Sequence, residues 1–212
     1  MGEVRWYLPR LWYSQTMQAN KVGAALSIAL SGLATAAVAQ DTLPPGGRNS
    51  WYVAAGPVFG QPIIGSEDSR RGQVYYVGKS TYSRQLSTNK VPAQIVVELY
   101  FNNTIGGGYE ADVPINILHM YGFTIAGRWY LSWLSRQRIY AQFGLGLAYG
   151  NHATVDLDSL VNSTPYLAIG TTWMMGRTRF MAEARFFHIS NGGTDGHNQG
   201  SNQLQYLIGV QF

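Results

Sequence analysis

The closing segment SNQLQYLIGVQF constrains this chain more than any other. Leu204, Tyr206, Ile208, Val210 and Phe212 share one parity, with Gln205, Gly209 and Gln211 among the residues on the other. Successive side chains of a strand point to opposite faces, so one face here is apolar to its end and the other small or polar. Such a face packs on a core in a soluble sandwich and meets lipid in a transmembrane barrel. Composition favours lipid. Only 12% of the 212 residues are charged, about half the usual share, while the chain carries 25 Gly, 14 Tyr and 6 Trp. Barrels that cross membranes replace surface charge with apolar and aromatic residues in this way.

The rest of the chain repeats the pattern. Eight strands are expected, at 50–60, 72–83, 93–103, 115–130, 137–149, 164–174, 178–190 and 203–212, with hardly a helical period between them. An even number suits a closed antiparallel sheet that leaves no edge. The connections alternate in size: FGQPIIGSEDSRRG, NNTIGGGYEADVP, GNHATVDLDSLVN and SNGGTDGHNQGSN are long and polar, SWLSRQ and MMGR are short, and SRQLSTNK is intermediate. Outer-membrane barrels have this asymmetry, with short periplasmic turns and longer outside loops. The expected fold is therefore all-β, an eight-stranded antiparallel transmembrane barrel over residues 50–212. A soluble exported sandwich is the alternative architecture.

Residues 1–39 read as an export signal. Lys21 precedes the uncharged run VGAALSIALSGLATAAVAQ, and Ala37-Val38-Ala39 has the small-x-small pattern of a signal-peptidase site. Gly23, Ser27, Ser31, Gly32 and Thr35 make the run only weakly hydrophobic, and no positive flank follows it, which argues against a membrane helix. MQANK from Met17 resembles a normal n-region and the preceding residues do not, which makes Met17 an alternative start. Residues 40–49 form a turn-rich lead-in. Cleavage after Ala39 removes three of 15 Lys/Arg and one of 11 Asp/Glu, leaving 12 against 10, a net charge of +2. No basic cluster interleaved with aromatics points to nucleic acid. With no cysteine, disulfides and thiolate metal sites are excluded. His119, His152 and His197 show no metal-ligand spacing, so neither metal nor other cofactor is expected.

One polar feature interrupts an apolar face. Phe180, Ala182, Ala184 and Phe186 continue at the same parity into His188 and Ser190, while Glu183 and Arg185 occupy the opposite face. His188 and Ser190 thus point outward, near the outer end of the seventh strand if the termini are periplasmic. Residues i and i+2 lie about 6.5 Å apart at the backbone, within reach for an imidazole leaning along the strand. A serine hydroxyl needs such an adjacent base to act as a nucleophile. Alone, the pair also suits an ordinary polar membrane rim. Glu98, Glu183, Arg128 and Arg185 read as a lumenal ion-pair network, because an eight-stranded barrel encloses side chains rather than a wide channel. Trp51, Trp129, Trp133 and Trp173 read as aromatic girdle.

The residues HISNGG and HNQGSN resemble the motif region of the lipid A deacylase family of Gram-negative outer membranes (PagL). The likeness comprises His-x-Ser-Asn, a Gly-rich step, Asn-x-Gly and an apolar alternating last strand. A chain-terminal Phe likewise resembles the assembly signal of bacterial barrels. The resemblance implies a multi-pass outer-membrane hydrolase that removes the 3-O-linked acyl chain of lipid A, with lipopolysaccharide as substrate. It implies Ser190 as nucleophile, His188 as general base, and Asn191 and Asn198 as oxyanion donors. Where the best-known pattern has a glutamate orienting the histidine, this chain has Asn202. An amide can hold the tautomer but does not stabilise imidazolium as a carboxylate does. Asp195 is the substitute candidate. The alternatives are a non-enzymatic barrel and another membrane-facing acyl enzyme such as a phospholipase. Homodimerisation is left open.

The mature protein is expected to begin at Gln40. N-terminal sequencing of protein extracted from the outer membrane checks this, and retention of Val22–Ala39 would point instead to an inner-membrane anchor.

Overall fold

The computed structural model describes residues 49–61, 70–87, 91–106, 117–131, 138–151, 153, 157–194 and 200–212. The expected leader, all of the lead-in but Asn49, and Trp133, His152, Asp195, His197 and Asn198 lie outside the described residues. Among the described residues nine strand segments follow in order: β1 (Ser50–Gly60), β2 (Arg71–Tyr82), β3 (Ala93–Ile105), β4 (Ile117–Tyr130), β5 (Arg138–Gly150), β6 (Val161–Ser163), β7 (Tyr166–Met175), β8 (Thr178–Ile189) and β9 (Ser201–Gln211). Neighbours pair antiparallel in the order β4-β3-β2-β1-β9-β8-β7-β5, and β4 pairs with β5 to close the ring.

The nine segments make eight staves. β5 pairs with β6 and β7 in one register, Leu147 opposite Ser163 and Gly144 opposite Tyr166. β8 continues the same register across the gap, with Phe187 opposite Tyr166 and Ser190 bridged to Ser163. The interruption falls at Thr164-Pro165, because proline has no N–H to give the ladder. The sequence alone places this stave at 164–174 and misses Val161–Ser163. It also starts the last strand at 203, whereas β9 begins at Ser201 and so draws Asn202 into the ladder.

Alternation sorts every stave into two faces. The outer face carries exposed apolar side chains, among them Val77, Leu99, Ile125, Leu145, Ile169 and Ile208. A continuous belt of this kind belongs in lipid rather than water. Near one rim lie Trp51, Trp129, Trp173, Phe180 and Phe212, with Trp173 stacked on Phe180 at 5.8 Å and Trp51 paired to Phe212 through both backbone bonds. Amphipathic rings at this level fit a membrane interface.

The inner face is filled by long polar and aromatic side chains. Arg185 binds Glu98 through Nη2 at 2.8 Å and Nη1 at 3.1 Å, and Glu183 through Nε at 2.7 Å. Tyr166 and Thr124 each donate to Glu98 at 2.6 Å, and Tyr140 donates to Glu183 at 2.8 Å. Arg128 stacks over Tyr140, 4.3 Å from its centroid, with Nη2 3.8 Å from Glu183. Two cations and two carboxylates thus neutralise one another in complete burial. Gly144 leaves room for the Tyr166 ring and Gly146 lies against the backbone at Phe123, so both inner glycines serve close packing.

Removing one partner from such a cluster strands the others. Arg185→Leu leaves Glu98 and Glu183 buried without their main counter-ion and is expected to cost on the order of 3–5 kcal/mol. The same change in a Glu98→Gln, Glu183→Gln background should cost much less. Urea unfolding of the reconstituted barrel, followed by heat-modifiable mobility, checks both, and equal costs would mean that the ion pairs do not hold the lumen together.

Candidate functional site

Among the described residues, His188, Ser190, Asn191 and Asn202 lie at the rim opposite Phe212, where β6, β8 and β9 lie side by side. Glu183 and Arg185 point into the lumen, so His188 and Ser190, an odd number of residues beyond them, share the outer face with Ala184 and Phe186. Asn202 stands directly across from His188.

The ladder makes that pairing close. His188 gives its backbone N–H to Pro165 on one side, and Asn202 accepts from Gln61 on the other. The two residues therefore turn their backbone groups away from each other, forming a non-hydrogen-bonded pair whose side chains stand closest. His188 Nδ1 lies 2.7 Å from Asn202 Oδ1. An amide oxygen only accepts, so Nδ1 is the donor of this bond. Asn202 is fully buried and His188 half-buried. This geometry produces an oriented imidazole whose Nε2 is turned away from the bond that fixes the ring.

Gly200 sets the ring from above. It lies at φ +71°, a left-handed conformation that a side chain strains, and a Cβ there would come within 3.0 Å of His188 Cε1. Both properties call for glycine.

Ser190 occupies the end of this face and is 9% exposed. Its backbone exchanges both bonds with Ser163, at 2.7 and 3.1 Å. Its Oγ lies 3.4 Å from Ser163 Oγ, and Ser163 Oγ donates to the Ser190 carbonyl at 2.9 Å. The hydroxyl thus rests with Ser163 rather than with His188, whose backbone lies about 6.5 Å away along the strand. Catalytic hydrogen bonds often tighten only when substrate is present.

Asn191 follows at 5% exposure, and its Oδ1 accepts from Gly193 N at 2.8 Å. This turn fixes the amide plane. Gly192 and Gly193, at φ +68° and +77°, carry the chain away from the strand. Asn198 and Asp195 lie outside the described residues, so the structure brings together Ser190, His188, Asn202 and Asn191. Ser163 is the residue that sequence reasoning missed. Its only signal is that it is polar in an outward row of Val161, Pro165, Leu167 and Ile169.

A family model described as "Lipid A 3-O-deacylase (PagL)" matches residues 70–211, about two thirds of the chain. Comparison with curated proteins gives no match. Among solved structures, one described as "Crystal structure of the outer membrane enzyme PagL" is similar over 78% of this chain and 99% of that one, at 13% identity and a TM-score of 0.49.

Two glycine substitutions separate strain from crowding. Gly193→Ala and Gly200→Ala both place a side chain at positive φ, a cost of roughly 1–2 kcal/mol. Space around Gly193 is open, whereas only at Gly200 does the new methyl meet the imidazole. Gly200→Ala should therefore shift the His188 ring resonances in NMR spectra while Gly193→Ala leaves them unmoved, and identical spectra would mean that Gly200 does not set the ring.

Proposed function

The chain belongs to the lipid A 3-O-deacylase family, and from that premise we propose that Ser190, His188 and Asn202 hydrolyse the ester on the lipid-facing surface of the barrel. The reaction removes the 3-O-linked acyl chain of lipid A, which makes the protein a carboxylic ester hydrolase. The observation that carries the assignment is the His188–Asn202 bond at 2.7 Å on the outer face, two residues from a serine hydroxyl.

Ser190 Oγ attacks the ester carbonyl while His188 Nε2 takes its proton. The carbonyl electron pair moves onto oxygen, where donors fixed in advance lower the barrier. The Asn191 amide supplies one donor and Asn198 a second. Collapse expels the sugar oxygen, which recovers the proton from His188, and water then releases the acyl chain from Ser190 by the same sequence. Side chains suffice for these steps, so the mechanism calls for no metal or organic cofactor.

Position matches substrate. With the Phe212 rim in the periplasm, the site lies at the outer rim, level with the headgroups of the outer leaflet, where lipid A resides. A site that faces sideways takes the ester from a lipid that stays in the bilayer, and needs no soluble-substrate pocket. Residues 1–39 serve as the leader that sends the chain there.

Ser190→Ala should abolish release of hydroxylated fatty acid from lipid A, read by mass spectrometry, while the barrel remains heat-modifiable. His188→Asn should do nearly the same, and Asn202→Ala should lower the rate roughly tenfold or more by freeing the imidazole. Asn202→Glu should preserve or raise activity, because a carboxylate stabilises the developing imidazolium better than an amide. Full activity in Asn202→Ala with none in Asp195→Ala would transfer the orienting role to Asp195. Lysophospholipid in place of deacylated lipid A would make the enzyme a phospholipase.

A further inference from the structure

Ser163 is the polar side chain of the β6–β7 stave that touches Ser190. It faces outward, between Leu147 of β5, exposed to lipid, and Ser190 of the bridge beyond β8. A hydroxyl in an otherwise apolar lipid-facing row costs free energy unless it is hydrogen-bonded, and here its proton goes to the Ser190 carbonyl at 2.9 Å.

A serine hydroxyl has one proton and two lone pairs. Since Ser163 gives its proton to that carbonyl, the Oγ–Oγ contact at 3.4 Å has Ser190 as donor. The contact is long for a hydroxyl pair and is easily released. When Ser190 turns its proton to His188, Ser163 remains beside the new bond. The carbonyl oxygen of the ester lies about one bond beyond the carbon that Ser190 Oγ attacks, so a hydroxyl anchored this close to the nucleophile falls within hydrogen-bond range of the developing oxyanion. Two backbone bonds between Ser163 and Ser190 hold that spacing.

We propose that Ser163 is a further catalytic residue, whose hydroxyl turns from the Ser190 carbonyl to the ester oxygen as the tetrahedral adduct forms. The inference rests on Ser190 as nucleophile. In the step, the Ser190 Oγ–carbon bond forms and the carbonyl pair moves onto oxygen, while the Ser190 proton passes to His188 Nε2. Ser163 donates a hydrogen bond throughout and keeps its own proton. It supplies the adduct with a donor from the side of the site opposite Asn202, carried by a strand rather than by the loop that bears Asn191. Collapse of the adduct returns the hydroxyl to the Ser190 carbonyl.

The test uses the full-length barrel in vesicles containing lipid A, with kcat and KM measured for the wild type and for Ser163→Ala, Ser163→Thr and Ser190→Ala. Ser163→Ala should lower kcat by about 10²-fold, the effect of removing one oxyanion donor. KM should stay within about twofold, because the donor acts on the transition state rather than on bound substrate. Binding of a phosphonate analogue of the adduct should weaken in parallel. Ser163→Thr, which keeps a hydroxyl and suits a strand, should restore most of the rate. Unchanged kcat in Ser163→Ala, a loss confined to KM, or a raised rate would each overturn the role of Ser163 while Ser190→Ala remained inactive. An active Ser190→Ala would overturn the nucleophile itself, and the role of Ser163 with it.

Discussion

The lumenal cluster of Arg185 with Glu98 and Glu183 is the constraint from which the rest of the molecule follows. Two of its members, Glu183 and Arg185, lie on the strand that carries the candidate site. Their burial against Glu98, on the far side of the barrel, fixes which parity of β8 faces inward. A register slip of one residue would turn every side chain of the strand over, placing a carboxylate and a guanidinium in lipid and Phe186 in the lumen. Each alternative costs several kcal/mol, so the ion cluster holds the outward parity of His188 and Ser190 without touching either residue. Charge balance inside thereby determines chemistry outside.

The outer face is mostly apolar, with Gln73, Asn103 and His119 as further polar positions toward the same rim, and the site is built there from ladder geometry. Asn202 and His188 meet because they form a non-hydrogen-bonded pair. Ser163 and Ser190 meet as a hydrogen-bonded pair one step nearer the rim. Three adjacent staves thus contribute four polar side chains, two of them from the β8 stave, and His188 is engaged with Asn202 as Ser190 is with Ser163. Pro165 ends the regular ladder beside His188 and Gly200 leaves room above its ring. Both are residues whose backbone properties, rather than side-chain chemistry, shape the site.

Much of this was legible in the sequence because a barrel is a period-2 object. Alternation in the last strand, the parity of His188 and Ser190 against Glu183 and Arg185, and the alternating loop lengths all follow from side chains pointing to opposite faces and from strands running up and down. What alternation does not encode is which residues stand opposite each other. Hairpin register decides that: the parity of Asn202 with Leu204 puts it on the face of His188, and the start of β9 at Ser201 sets it directly opposite. Ser163 was hidden for the same reason. It lies 27 residues before Ser190, ahead of a proline that reads as a strand boundary, and no local pattern joins it to the motif. Asn198 and Asp195 lie in a loop outside the described residues, so the part of Asn198 rests on the motif and that of Asp195 on its place in the loop.

Trapping the nucleophile tests the central claim most directly. Outer-membrane vesicles bearing the protein, treated with a serine-directed fluorophosphonate and digested for peptide mass mapping, should carry a single adduct on Ser190, lost in His188→Asn and retained in Asn202→Glu. An adduct at another serine, Ser163 included, or labelling of Ser190 indifferent to His188, would contradict a serine and histidine acting together at the lipid-facing rim.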